Sequence, residues 1–150
     1  MTRPSTQTIT AEDAERLRKL HDARQLFGGD WMTAILLALK SGPKHYTELL
    51  DMVGSLNDAA AANSWSGRPR VLHASVLTRT LKTMTADRLI VRDQEAGVFP
   101  PSVTYSLAPA TREALEAMQP LADWVSQHPD IVAQARHRRS QDSDGARRSA

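Results

Sequence analysis

The sequence contains no cysteine. That excludes disulfides, thiolate metal sites and thiol redox sensing, and it is compatible with a cytoplasmic protein. No apolar run approaches the roughly 18 residues that a membrane helix needs. The polar start, MTRPSTQTIT, has no apolar stretch of the kind a secretion signal carries. Only seven glycines occur, and none builds a phosphate-cradling loop or a Gly-x-Ser-x-Gly turn. The five histidines (His21, His45, His73, His128 and His137) fall on separate predicted elements without metal-ligand spacing. These absences leave no catalytic residue, no metal site and no cofactor to propose, so the chain is not expected to be an enzyme.

The rest is an ordinary globular composition, 41% hydrophobic and 24% charged, of a length that suits one domain. The charge is unevenly placed. From Arg136 onward, five arginines face only Asp142 and Asp144, so the preceding body is close to neutral. Within that body, residues 68–92 hold Arg68, Arg70, Arg79, Lys82, Arg88 and Arg92 against Asp87 alone. A local excess of cations on a neutral domain suits an anionic partner, and duplex phosphate is the commonest one. A plain solvated face would carry the same residues.

Periodicity supplies the elements. Thr10 with Asp13 three residues on predicts a capped first helix over about 11–26, ended by Gly28-Gly29. Asp30 then caps a second helix, 31–40, with Trp31, Ile35, Leu36 and Leu39 on one face, and Ser41-Gly42-Pro43 stops it. Lys44-His45-Tyr46 reads as a short extended piece, followed by a short helix capped at Thr47 and running through Val53. Residues 54–71 read as an insertion loop. Leu72, Val76, Leu77, Leu81 and Met84 line one side of an amphipathic helix over 72–87. Two strands, from Leu89 and over 102–107, form a hairpin. Pro109 opens a last helix, 109–127, with Leu115, Met118, Leu121, Ala122 and Val125 as its stripe. The expected fold class is α+β, mostly α: a winged helix-turn-helix with N- and C-terminal dimerisation helices. Its organisation is a disordered N-terminus (1–9), one domain (10–128) and a basic, largely disordered tail (129–150).

Four blocks are similar to the HxlR-type winged helix-turn-helix regulators of the MarR-like superfamily. Gly28-Gly29-Asp30-Trp31 with Ile35-Leu36-Leu37-Ala38-Leu39 resembles that family's opening. Gly42-Pro43-Lys44-His45-Tyr46-Thr47-Glu48-Leu49 resembles the start of its first motif helix. Leu77-Thr78-Arg79-Thr80-Leu81 resembles its recognition helix, and Pro100-Pro101-Ser102-Val103-Thr104-Tyr105-Ser106-Leu107 its returning wing strand. The likeness implies a bacterial, cytoplasmic transcriptional regulator that binds double-stranded DNA as a homodimer and responds to a small-molecule effector. A small-molecule sequestering protein on the same scaffold is the alternative. Four departures stand out: the family's regulatory cysteine is absent, the segment between the two motif helices is longer than usual, Arg88 replaces the glycine after the recognition helix, and Ser102 replaces a wing arginine.

A recognition helix lies in the major groove with its N-terminal part at the base edges. On that geometry Arg79 is the foremost candidate contact, with Ser75 and Thr78 beside it and Lys82 reaching the backbone. His73 at the helix start, Lys44 and His45 before the first motif helix, and Arg92 on the wing complete the DNA-binding set. In the insertion, Trp65, Arg68 and Arg70 offer a ring and two donors, a speculative ligand-binding trio. Trp65 is the most conspicuous of these, since an aromatic in so polar a stretch is rarely needed for a core.

Overall fold

The computed structural model describes residues 8–61, 65 and 70–148. Nine elements follow in order: α1 (Ala11–Phe27), α2 (Met32–Leu39), β1 (Lys44–His45), α3 (Tyr46–Ala60), α4 (Ala74–Ala86), β2 (Ile90–Glu95), β3 (Ser102–Leu107), α5 (Pro109–Gln127) and α6 (Pro129–Arg148). The sheet is antiparallel with order β1-β3-β2, so the short piece at Lys44-His45 adds a third strand to the expected hairpin. The chain is an α+β winged helix-turn-helix, mostly helical.

α1 starts as its sequence dictates. Thr10 and Asp13 form a reciprocal capping box, with the Asp13 N–H donating to Thr10 Oγ1 at 3.1 Å and the Asp13 carboxylate accepting from the Thr10 N–H at 3.2 Å. The Thr10 hydroxyl, then its N–H, hold the Asp13 carboxyl below its ordinary pKa. α1 stops at Gly28, where a Cβ would lie 2.3 Å from the Arg24 carbonyl oxygen. Only glycine fits there.

The core is built from α2, α3, α4 and the base of the sheet. Ile35, Leu36 and Leu39 meet Leu49 and Val53 of α3, Leu77, Leu81 and Met84 of α4, and Leu89, Ile90 and Leu107 of the wing base. Leu115 and Met118 of α5 pack against its edge. The apolar stripe read on α5 therefore divides, because Leu121 and Val125 remain exposed.

Several boundaries differ from expectation. α2 is preceded by Trp31 at its N-cap, and Asp30 instead pairs with Arg70. α3 begins at Tyr46, one residue before the expected cap, because Glu48 accepts from the His45 N–H at 3.1 Å and makes His45 the first cap residue. It also runs past Val53 to Ala60, into the segment read as loop. Gly54 costs a helix about 1 kcal/mol relative to alanine, and the following Leu56, Ala59 and Ala60, good helix formers, outweigh it. α4 starts at Ala74 rather than residue 72, with His73 as N-cap.

The largest correction concerns the tail. Residues 129–148, expected to be largely disordered, form α6. Pro129 suits a first helical position, Asp130 complements the helix dipole, and Ala133 to Arg139 is a run of residues of high helix propensity apart from His137. The expected disorder at the N-terminus falls mostly on residues 1–7, outside the described residues.

Candidate nucleic-acid interface

α4 presents two opposite faces. Leu77, Leu81 and Met84 are buried in the core, while Ser75, Thr78, Arg79 and Lys82 are exposed together. Positions 75, 78, 79 and 82 follow the i, i+3, i+4, i+7 spacing of a single helical face. The sequence-predicted set on this helix is therefore one surface.

Its start is fixed by contacts that the sequence reading did not anticipate. The Tyr46 hydroxyl donates to the Ala74 carbonyl at 2.8 Å and lies 3.0 Å from Thr78 Oγ1, which itself donates to Ala74 at 2.9 Å. This triangle of oxygens ties the beginning of α3 to the first turn of α4. Tyr46 is thus the positioning residue that was missed. Its only signal was an aromatic among polar neighbours at the start of a motif helix. The far end of α4 is closed by a Schellman motif: Leu89 N–H bonds to Met84 O at 2.9 Å and Arg88 N–H to Thr85 O at 3.1 Å. Arg88 stands there with φ of 60°, the left-handed region that glycine adopts without cost.

His73 is the N-cap residue of α4, exposed beside this face. His45 has a different use. Its Nδ1 lies 3.0 Å from the Val103 carbonyl oxygen, so the ring is tied to the returning wing strand. Lys44 is half-buried on β1, opposite Tyr105.

The wing brings Arg92 to the recognition helix. Arg92 pairs in register with Tyr105, so both point to the same side of the sheet. Together with Thr78, Leu81, Lys82, Thr85 and Ala86 they line a cleft of about 560 Å³ between α4 and the hairpin. Its two cations have no carboxylate partner among the described residues, and neither do Lys44, Arg79 and Arg88. Lys44, Arg79, Lys82, Arg88 and Arg92, on α4, its flanks and the wing base, make a cationic surface that suits an anionic partner. The wing tip itself has no cation: Val98 and Phe99 are exposed there, Phe99 almost completely.

The trio from the insertion does not stand free. Arg70 pairs with Asp30 at 2.9 Å, and its carbonyl accepts from Asn57 Nδ2 at 2.8 Å. The Trp65 ring is covered by two guanidinium groups, those of Arg136 and Arg139 on α6. Arg68 lies outside the described residues. Among the described residues no cluster of metal-ligating side chains occurs, and no helix is long and apolar enough to cross a membrane.

Comparison with known proteins agrees with this geometry. Residues 68–132, from the end of the insertion through α4, the wing and α5, match the HxlR-like helix-turn-helix family. The chain is 26% identical over 104 residues to the uncharacterized HTH-type transcriptional regulator YtfH of Escherichia coli K12, covering 69% of each protein. Its fold is similar to a MarR-family transcriptional regulator of Enterococcus faecalis V583, with a TM-score of 0.59 at 21% identity over 87% of this chain and 99% of that one. It is also similar to the redox regulator HypR in its reduced form, with a TM-score of 0.60 at 19% identity over 77% and 98% of the two chains. Residues 68–132 thus carry an HxlR-like helix-turn-helix, in a chain whose winged-helix fold is similar to that of these solved regulators.

Proposed function

We propose that this protein is a DNA-binding transcriptional regulator that acts as a homodimer on a pseudo-palindromic operator and releases it in response to a small molecule. The observation that carries the reading is the outer face of α4. Ser75, Thr78, Arg79 and Lys82 project from a helix whose other face is locked in the core, beside cations that have no carboxylate partner among the described residues. Arg79 reads a base edge, and Lys82 and Arg92 hold phosphates. Thr78, whose hydroxyl is engaged with Ala74 and Tyr46, offers its methyl to a thymine.

Exposed apolar residues support the dimer. α1 has no buried residue, yet carries Leu17, Leu20 and Leu26, each at least 40% exposed. The second half of α5 exposes Leu121, Trp124 and Val125. Such apolar surface on helices flanking a complete core suits burial against a second copy. The effector fits best in the cleft of about 370 Å³ between α2 and α5, lined by Leu37, Lys40, Arg112, Leu115, Glu116 and Gln119. An occupant there would bear on how the DNA-binding core sits against the dimer helix. Trp65 and Arg70 already have partners within the chain, which favours this cleft over the insertion. A sensor built on thiol oxidation is excluded by the absence of cysteine.

Selection of duplexes from a random pool, followed by affinity measurements at several salt concentrations, tests the reading. A regulator yields an enriched inverted repeat and a steep fall of log K with log salt. Failure of the wild-type protein to enrich any sequence contradicts it.

A further inference from the structure

The insertion and α6 are both additions to the helix-turn-helix, and the structure joins them. Arg136 and Arg139, three residues apart and so on one face of α6, hold their guanidinium carbons 5.4 and 4.7 Å from the centre of the Trp65 ring. Cations at this distance over an indole face are attracted by its quadrupole. Among the described residues neither arginine has a carboxylate partner, and the Nε of Arg136 is buried without an acceptor. Among the described residues the Trp65 ring is the partner that this guanidinium meets, and the arginine stem packs beside it.

The other end of the insertion is also anchored. Asn57 of α3 holds the Arg70 carbonyl, and Asp30 before α2 holds its guanidinium. Three residues later His73 caps α4, the helix that carries Ser75, Thr78 and Arg79. Two residues that precede α4 in the chain, Trp65 and Arg70, are thus each held, the first by α6.

We propose that α6 is a clamp on the insertion, and that Trp65 is a positioning residue for DNA recognition. Arg136 and Arg139 act through the Trp65 ring, not on phosphates. They hold Trp65, upstream of α4 in the chain, and so pre-organise the recognition helix, whose contacts with DNA would otherwise have to order it on binding. The inference rests on the DNA-binding reading above, but it also makes a claim about the free protein that does not depend on DNA.

The test uses the full-length protein in three forms beside the wild type: Trp65→Leu, the pair Arg136→Gln with Arg139→Gln, and the conservative pair Arg136→Lys with Arg139→Lys. Amide hydrogen exchange over residues 70–80 is read without DNA. It should quicken by about fivefold or more in the leucine and glutamine variants and stay near wild type in the lysine pair, which keeps a cation over the ring. Affinity for a duplex selected by the wild-type protein should fall by about fivefold or more in the first two variants, with the salt slope unchanged. Unchanged exchange in Trp65→Leu overturns the clamp, whatever the DNA result. So does faster exchange with undiminished affinity for the selected duplex. A salt slope lowered by about two in the glutamine pair, with Trp65→Leu silent, would instead assign the arginines to phosphates. If the wild type selects no duplex, the DNA-binding reading fails and exchange alone decides the clamp.

Discussion

The chain has two regions of opposite character. Between Met32 and Leu107, α2 to β3 enclose the whole set of buried apolar residues, including Ile35, Leu36, Leu49, Leu77 and Leu81. Outside it, α1 and α6 bury nothing completely and α5 only Thr111, although α1 and α5 carry exposed leucines and a tryptophan. The first region is finished within one chain. The helices around it leave large apolar side chains exposed. The winged unit can therefore fix the recognition surface by its own packing, while the flanking helices keep apolar side chains exposed on α1 and the second half of α5, the surface proposed above for a second copy, and α6 meets Trp65 of the insertion.

The largest effect that would break this contrast lies in the finished region. Leu81→Ala removes a fully buried side chain beneath the recognition helix and should cost about 2–5 kcal/mol of unfolding free energy, measured by urea denaturation. A loss under about 1 kcal/mol would mean that the α4 core is looser than described. The counterpart in the unfinished region is Leu121→Glu with Val125→Glu. Both residues are exposed in the single chain, so the fold should persist by circular dichroism while sedimentation shows a shift from dimer to monomer. Unfolding of this variant at every concentration would place α5 in the winged core.

Smaller effects sharpen the same comparison. Arg79→Ala should weaken binding to a selected duplex by about 1–3 kcal/mol without affecting stability. Lys82→Ala should weaken selected and unrelated duplexes alike and flatten the salt slope by about one. Equal affinity of Arg79→Ala and wild type would remove Arg79 from the interface. The smallest effect is a gain. Arg88 holds a left-handed conformation, so Arg88→Gly relieves backbone strain that exceeds the extra freedom glycine gives the unfolded chain, for a net of about 0.5–1 kcal/mol. A thermal melt at unchanged buffer checks it, and a lowered melting temperature would refute it.

What was legible in the sequence was local or periodic. The Thr10–Asp13 box, the span of α5 and the outward face of α4 each follow from residues within one or two turns of each other. What was missed is held by contacts across long separations. Tyr46 meets Thr78 across 32 positions, and no periodicity announces such a pair. α6 was read from its Ser, Asp, Gly and Arg content as disordered, because composition conceals both the helix formers at 133–139 and the distant Trp65 on which two of its arginines stack. The opposite error occurred at the start of α3, where Thr47 looked like the better cap but Glu48 reaches back to His45. A capping residue alone did not decide the boundary; its reciprocal partner did.

The most direct test of the whole account is a nucleotide-resolution footprint of the wild-type protein on its selected duplex. A dimer that joins two finished winged units through α1 and α5 should protect two inverted half-sites whose centres lie about one helical turn, some 34–36 Å, apart. Major-groove guanines within each half-site should lose that protection in Arg79→Ala. A single protected half-site at saturating protein, or a protected pair indifferent to Arg79→Ala, would contradict it.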